Sequence, residues 1–76
     1  MGRVAVRFWG RISDEFGERL DVAMSRPLSI RELRAQLGNG LSDPSIRAVM
    51  DGHFCQDDTM VEDGDHVEFL SPVGGG

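Results

Sequence analysis

Seventy-six residues, 39% hydrophobic and 28% charged, make one small domain with a modest core, which leaves no room for a deep active-site cleft. No apolar run approaches the roughly 20 residues of a membrane-spanning helix, and Met1-Gly2-Arg3-Val4-Ala5-Val6 alternates instead of forming a signal-peptide core. A formal net charge of −5 disfavours a nucleic-acid backbone and suits a basic protein partner, and the single cysteine, Cys55, has no internal disulfide partner, so a cytoplasmic location is the default.

Residues 3–9 are predicted as the first strand, with Val4, Val6 and Phe8 on one face and Arg3, Ala5, Arg7 and Trp9 on the other. Segment 10–17 has room for a helical turn. Gly17 permits a turn, and Glu18-Arg19 leads into a second strand around Leu20, Val22 and Met24. Ser29 and Glu32 have the spacing of a capping box, flanked by Leu28 and Leu33 as a hydrophobic staple. Ile30, Leu33 and Leu37 then fall at helical spacing and would face a sheet, with Arg31 and Arg34 on the solvated side, until Gly38 and Gly40 end the helix.

Pro44 marks a loop. Ile46 to Met50 is strand-like, Asp51-Gly52 is a hairpin turn signal, and His53-Phe54-Cys55 continues beyond it. Glu62-Asp63-Gly64-Asp65 is a further turn. The last strand is His66-Val67-Glu68-Phe69-Leu70, with Val67 and Phe69 inward and His66, Glu68 and Leu70 outward. One helix against one sheet is an α+β architecture. The domain is expected over residues 1–70, with a flexible tail over 71–76.

The tail, Ser71-Pro72-Val73-Gly74-Gly75-Gly76, differs in character from what precedes it. Pro72 cannot donate to a strand ladder. Glycine lacks the Cβ that would block entry into a narrow channel, so a glycine arm can carry a terminal carboxylate into another protein's active site. A frayed end without purpose is the plain alternative. Against it stands the position of the tail directly after a strand, with Leu70 and Val73 flanking the Ser-Pro pair.

The run from Val61 to Gly76, with its Asp63-Gly64-Asp65-His66-Val67 turn and strand and its Pro72-Val73-Gly74-Gly75-Gly76 end, resembles the C-terminal signature of the MoaD/ThiS sulfur carriers. Within them it is most similar to the small subunit of molybdopterin synthase. Val6-Arg7-Phe8-Trp9-Gly10-Arg11-Ile12-Ser13-Asp14-Glu15-Phe16-Gly17 resembles the first strand and following segment of that subunit. Ser71 departs from the pattern, which has proline there, and Gly74 occupies its variable position.

The resemblance implies a ubiquitin-like β-grasp, a mixed sheet on one main helix with the first and last strands side by side and parallel. It further implies that Gly76 is the adenylated, sulfur-carrying terminus and that Gly75 and Gly74 let the tail thread into a partner. An E1-like adenylating enzyme would activate the carboxylate, a sulfur donor would convert it to a thiocarboxylate, and the large synthase subunit would receive it. ATP and metal belong to the adenylating partner; the chain has no intrinsic cofactor and no catalytic or metal site of its own. Other customers of the same carrier chemistry are thiamin, thiolated tRNA and cysteine synthesis, and a ubiquitin-like modifier or binding module is a further alternative.

Trp9 and Leu70 fall on outward strand faces and, with Phe54 and Val73, are the candidate partner-docking residues. Cys55 is read as a small core hydrophobe rather than a sulfur-transfer thiol. His53 and His66 are read as solvated strand residues, and Asp57-Asp58 and Glu62-Asp63-Asp65 as solvated turns, since neither set has ligand spacing. The absence of lysine removes every ε-amine that could attack an activated C-terminus, although a GC-rich genome would produce the same bias.

Overall fold

The computed structural model describes residues 2–72. The expected α+β order is present: β1 (Gly2–Trp9), α1 (Ile12–Phe16), β2 (Arg19–Met24), β3 (Leu28–Ser29), α2 (Ile30–Leu37), a 3-10 turn (Asn39–Leu41), β4 (Arg47–Met50), β5 (His53–Cys55), β6 (Met60–Val61) and β7 (His66–Leu70). Five strands form one sheet in the order β2-β1-β7-β4-β5, and β3 pairs with β6 in a separate small ladder. β1 and β7 are parallel neighbours in the centre, and the β2, β4 and β5 pairings are antiparallel. This is the β-grasp arrangement, with α2 sharing one core with the sheet.

Strand alternation decides which side chains form the core. Val4, Val6 and Phe8 of β1 and Val67 and Phe69 of β7 are buried on the inner face, where Ile30 and Leu33 of α2 meet them. Phe8 stacks between Phe16 (centroids 5.0 Å apart) and Phe69 (6.0 Å). Phe16 thereby anchors the single turn of α1 to the sheet, which so short a helix needs in order to persist.

The capping box is complete: Ser29 Oγ accepts from Glu32 N–H at 3.1 Å, and Ser29 N–H donates to Glu32 Oε1 at 2.9 Å. Leu28 and Leu33, on either side of it, are both buried. Asp51 (φ 51°) and Gly52 (φ 78°) both occupy the left-handed region, the geometry of a tight hairpin turn between β4 and β5.

Three features differ from the sequence-based expectation. The ladder of β3 and β6, two residues each, was not foreseen. Two-residue strands carry too few side chains for any period to show; they exist because Leu28 and Val61 are register partners inside the core. Second, Arg34 is not on a solvated face. Its side chain is only 13% exposed, and its guanidinium donates to the carbonyls of Leu41 (2.9 Å) and Ile46 (2.6 Å), 5.4 Å from the centroid of Phe69. The chain returning from α2 to β4 folds over that side of the helix and leaves carbonyls that need a donor. Third, the acidic turn before β7 is tied into the fold. Asp63 Oδ1 accepts from Arg3 N–H at 2.9 Å, Asp65 Oδ2 accepts from Glu62 N–H at 2.8 Å, and Gly64 N–H and Asp65 O bond to β1. No helix among the described residues is long and apolar enough to cross a membrane.

Candidate functional site

The parallel pairing of β1 with β7 brings the ends of both strands to one edge of the domain, and the tail leaves from there. Trp9 and Leu70, the last residues of the two strands, are register partners, and Leu70 is also opposite Arg47 of β4. One row further in, Arg19, Arg7, Glu68, Val49 and Phe54 are successive partners across all five strands. Both rows lie on the outer face, because alternation directs Phe8, Phe69 and Ala48 inward.

The three described docking candidates therefore share one surface. Trp9 is 43% exposed, Leu70 37% and Phe54 70%. Trp9 and Leu70 are paired in register, whereas Phe54 is displaced from Leu70 by two strands and one row. Val73, Gly74, Gly75 and Gly76 lie outside the described residues.

The aromatic rings on this face are held by polar contacts. Trp9 Nε1 donates to Glu68 Oε1 at 2.7 Å, and the Arg7 guanidinium lies 4.6 Å from the Trp9 ring centroid. The Arg47 guanidinium lies 5.4 Å from the Phe54 ring. A ring fixed in this way loses little rotamer freedom when a partner covers it. The charge of the face is also set by these residues. Arg7 lies over Trp9 and Arg47 over Phe54, and Arg19 and Glu68 belong to the same two rows, so the surface is locally basic on a chain of net charge −5. Net charge alone suits a basic partner, but the cations beside Trp9 and Leu70 are arginines, which acidic groups complement. Net charge sums over the whole molecule, whereas a contact senses only charges within about one Debye length, roughly 8 Å in physiological salt.

At the root of the tail, Ser71 was not singled out by its sequence position as a functional residue, yet it is only 8% exposed. Its N–H donates to Trp9 O at 3.1 Å, its Oγ–H donates to the same carbonyl at 2.9 Å, and its Oγ accepts from Ile12 N–H at 3.2 Å. Gly10 makes this possible. Its φ is +82°, and a Cβ placed there would lie 2.5 Å from Ser71 Oγ. An open pocket of about 350 Å³ lies beside these groups, between the start of α1 and the loop before β4.

Cys55 is half-buried at the end of β5 and packs against the core. Burial pushes its thiol pKa up, which disfavours the thiolate that sulfur transfer requires. Among the described residues no three His, Cys, Asp or Glu side chains converge as metal ligands. His53 and His66 lie on different strands, with β7 and β5 separated by β4.

Comparison with known proteins places this geometry. Residues 6–76 match the ThiS family. The chain belongs to that family. Its fold is that of a candidate molybdopterin converting factor subunit 1 from Pyrococcus furiosus, with a TM-score of 0.81 at 16% identity over 96% of this chain and 100% of that one. It is similar to a chain from a complex of subunits 1 and 2 of the molybdopterin-converting factor of Helicobacter pylori, 30% identical over 97% and 99% of the two chains, with a TM-score of 0.65. It is also similar to the thiamine biosynthesis protein ThiS of Geobacter metallireducens, 26% identical over 95% and 99%, with a TM-score of 0.58. No curated protein matches the chain significantly. As a member of this family the chain is a non-catalytic sulfur carrier of the ThiS/MoaD type.

Proposed function

We propose that this carrier is the small subunit of a molybdopterin synthase and that its C-terminal glycine, Gly76, is the sulfur-bearing group. The observation that carries the reading is the position of the exposed Trp9–Leu70 pair at the point where the Gly-rich tail departs. In an E1-like adenylating partner, which supplies ATP and metal, a Gly76 carboxylate oxygen attacks the α-phosphorus and pyrophosphate leaves. A carboxylate is a poor electrophile, and the acyl-adenylate has a good leaving group. The outer sulfur of a donor persulfide then displaces AMP, which departs with one carboxylate oxygen; a thiol cleaves the S–S bond of the resulting acyl disulfide, forming a disulfide with the donor, and the released thiocarboxylate carries the sulfur onward. Gly75 and Gly74 give the clearance to enter the partner's channel. Trp9, Leu70 and Phe54 form the grip on the adenylating enzyme and then on the large synthase subunit, with Val73 following along the tail. The 30% identity to a chain from a complex of subunits 1 and 2 of a molybdopterin-converting factor supports this assignment. A cytoplasmic location accords with it.

The test is intact-mass spectrometry after incubation with the adenylating partner, ATP and a sulfur donor. The expected result is a gain of about 16 Da, oxygen exchanged for sulfur, absent from a chain lacking Gly76. No gain, or the same gain without Gly76, would refute the reading. The similarity to a ThiS protein supports a second customer, thiamin synthesis. Tight binding of the large synthase subunit selects the first reading, and failure to bind it while the mass gain persists selects the second.

A further inference from the structure

We propose that Ser71 is a hydrogen-bonded latch that fixes the point and direction at which the tail leaves the domain, so that the tail reaches an activating partner already aimed; this rests on the carrier function proposed above. Ser71 is the one buried polar residue among those described. Three bonds hold it within one short span of chain: two to the Trp9 carbonyl and one from Ile12 N–H. Trp9 ends β1, and Ile12 begins α1.

The bond from Ile12 matters because Arg11, at the N-cap of α1, provides no side-chain cap. A free N–H at the start of the helix is instead satisfied by a hydroxyl arriving from 59 residues further along the chain. Gly10 leaves the space that the hydroxyl occupies. The carbonyl that holds Ser71 belongs to Trp9, the exposed ring of the docking face, so the grip and the take-off point share one peptide.

Pro72 follows at once, with no N–H to bond and a ring that fixes its own φ. From Pro72 to Gly76 the chain can extend by at most about 14 Å, at about 3.6 Å per residue. Over so short a reach, the point at which Ser71 is held limits how far from the domain the terminus can go. Releasing that residue adds one more set of backbone torsions to be ordered on docking. An added residue of disorder weakens an equilibrium by on the order of fivefold to thirtyfold.

The experiment follows ATP–pyrophosphate exchange by the adenylating partner with the wild-type chain, Ser71→Ala and Ser71→Thr as carriers, well below the lowest melting temperature. Ser71→Ala keeps the backbone bond and loses both hydroxyl bonds. Because the backbone bond still holds the residue in part, we expect its carrier KM to rise by the low end of that range, about fivefold, with kcat within about twofold of wild type, and Ser71→Thr, which retains the hydroxyl, to restore KM. A part that served stability alone would lower the melting temperature and leave KM unchanged; that result, or a threonine variant as impaired as the alanine one, overturns the proposal. Amide hydrogen exchange of Ile12 and Ser71 in the wild-type chain decides independently of activity. Protection of both supports the latch, and exchange at unfolded rates overturns it. If the wild-type chain is not adenylated, the carrier function fails, and the exchange result still stands for or against the latch.

Discussion

Replacing Arg34 by alanine tests whether α2 has a solvated face on that side or a structural one. By helical spacing alone Arg34 is a surface residue, and its loss would change stability by no more than about 0.5 kcal/mol. The structure gives a larger figure. The guanidinium donates to Leu41 O and Ile46 O, and both of those residues are buried. A hydrogen bond to a charged donor contributes about 1.5–3 kcal/mol. Water reaching part of the vacated space offsets some of the loss, so roughly 2–4 kcal/mol is expected for the pair. Asp57 adds little. Its Oδ1 is 3.5 Å from Arg34 Nε without hydrogen-bond geometry, and its side chain is half exposed, so the ion pair contributes about 0–1 kcal/mol. The assay is urea unfolding of wild type, Arg34→Ala, Arg34→Lys and Asp57→Asn at low salt and in about 1 M salt, where screening reaches down to roughly 3 Å. Because the acceptors are neutral carbonyls, the Arg34→Ala loss should persist in high salt. Lysine, a point charge without the planar fork, should recover about half of it. A loss below about 1 kcal/mol, or one that high salt abolishes, would refute the assignment of Arg34 to the carbonyls.

The other predictions concern the tail, the cap and the docking face. Trp9→Ala or Leu70→Arg should weaken binding of the adenylating partner by about 2 kcal/mol, roughly thirtyfold by calorimetry, with the fold unchanged by circular dichroism. Arg7→Glu with Arg47→Glu should slow association and reverse its salt dependence, since these charges face the partner's rim; stopped-flow rates that ignore the reversal would contradict the acidic-partner assignment. Gly10→Ala should destabilise by roughly 1–3 kcal/mol, from a positive φ and from the clash with Ser71, as read by thermal melts. The hydrogen bond from Arg26, then the Ser29 N–H, lowers the pKa of Glu32 to about 2 from the usual 4.5. Its folded-state pKa is depressed, so its stabilisation is present above pH 4.5 and is lost as pH falls toward 2. Glu32→Gln, which retains the capping pattern but not the charge, should therefore differ from wild type in melting temperature at neutral pH and converge with it near the acid end; parallel curves throughout would count against a stabilising contact between Arg26 and the Glu32 carboxylate.

The elements legible in the sequence were those whose signal is local. β1 and β7 show period-two alternation because each has one face in the core. The Ser29–Glu32 box shows because both partners lie within one helical turn. The turn at Asp51-Gly52 shows because two consecutive residues must take positive φ. The outward placement of Trp9, Leu70 and Phe54 followed from the same alternation, and the structure confirms that they share a face. The tail motif was legible in composition alone: a strand, a proline and three glycines.

What the sequence could not supply were contacts between residues far apart in the chain. Arg34 reads as solvated until the loop before β4 folds across it. The β3–β6 pair is too short to carry a period. Ser71 reads as a departure from a proline pattern until Trp9 and Ile12, 62 and 59 positions away, are seen to bond it. The charge of the outer face around Trp9 and Phe54 depends on which arginines the strand register sets beside the exposed rings, and a sum over the chain has the opposite sign. Sequence by itself determined the fold class, the family signature and the Gly-rich tail motif, because side-chain period, backbone torsion and glycine content are properties of neighbouring residues. Tertiary structure alone decided where Ser71 is held and what surrounds it, because parallel pairing of β1 with β7 sets residues far apart in the chain side by side.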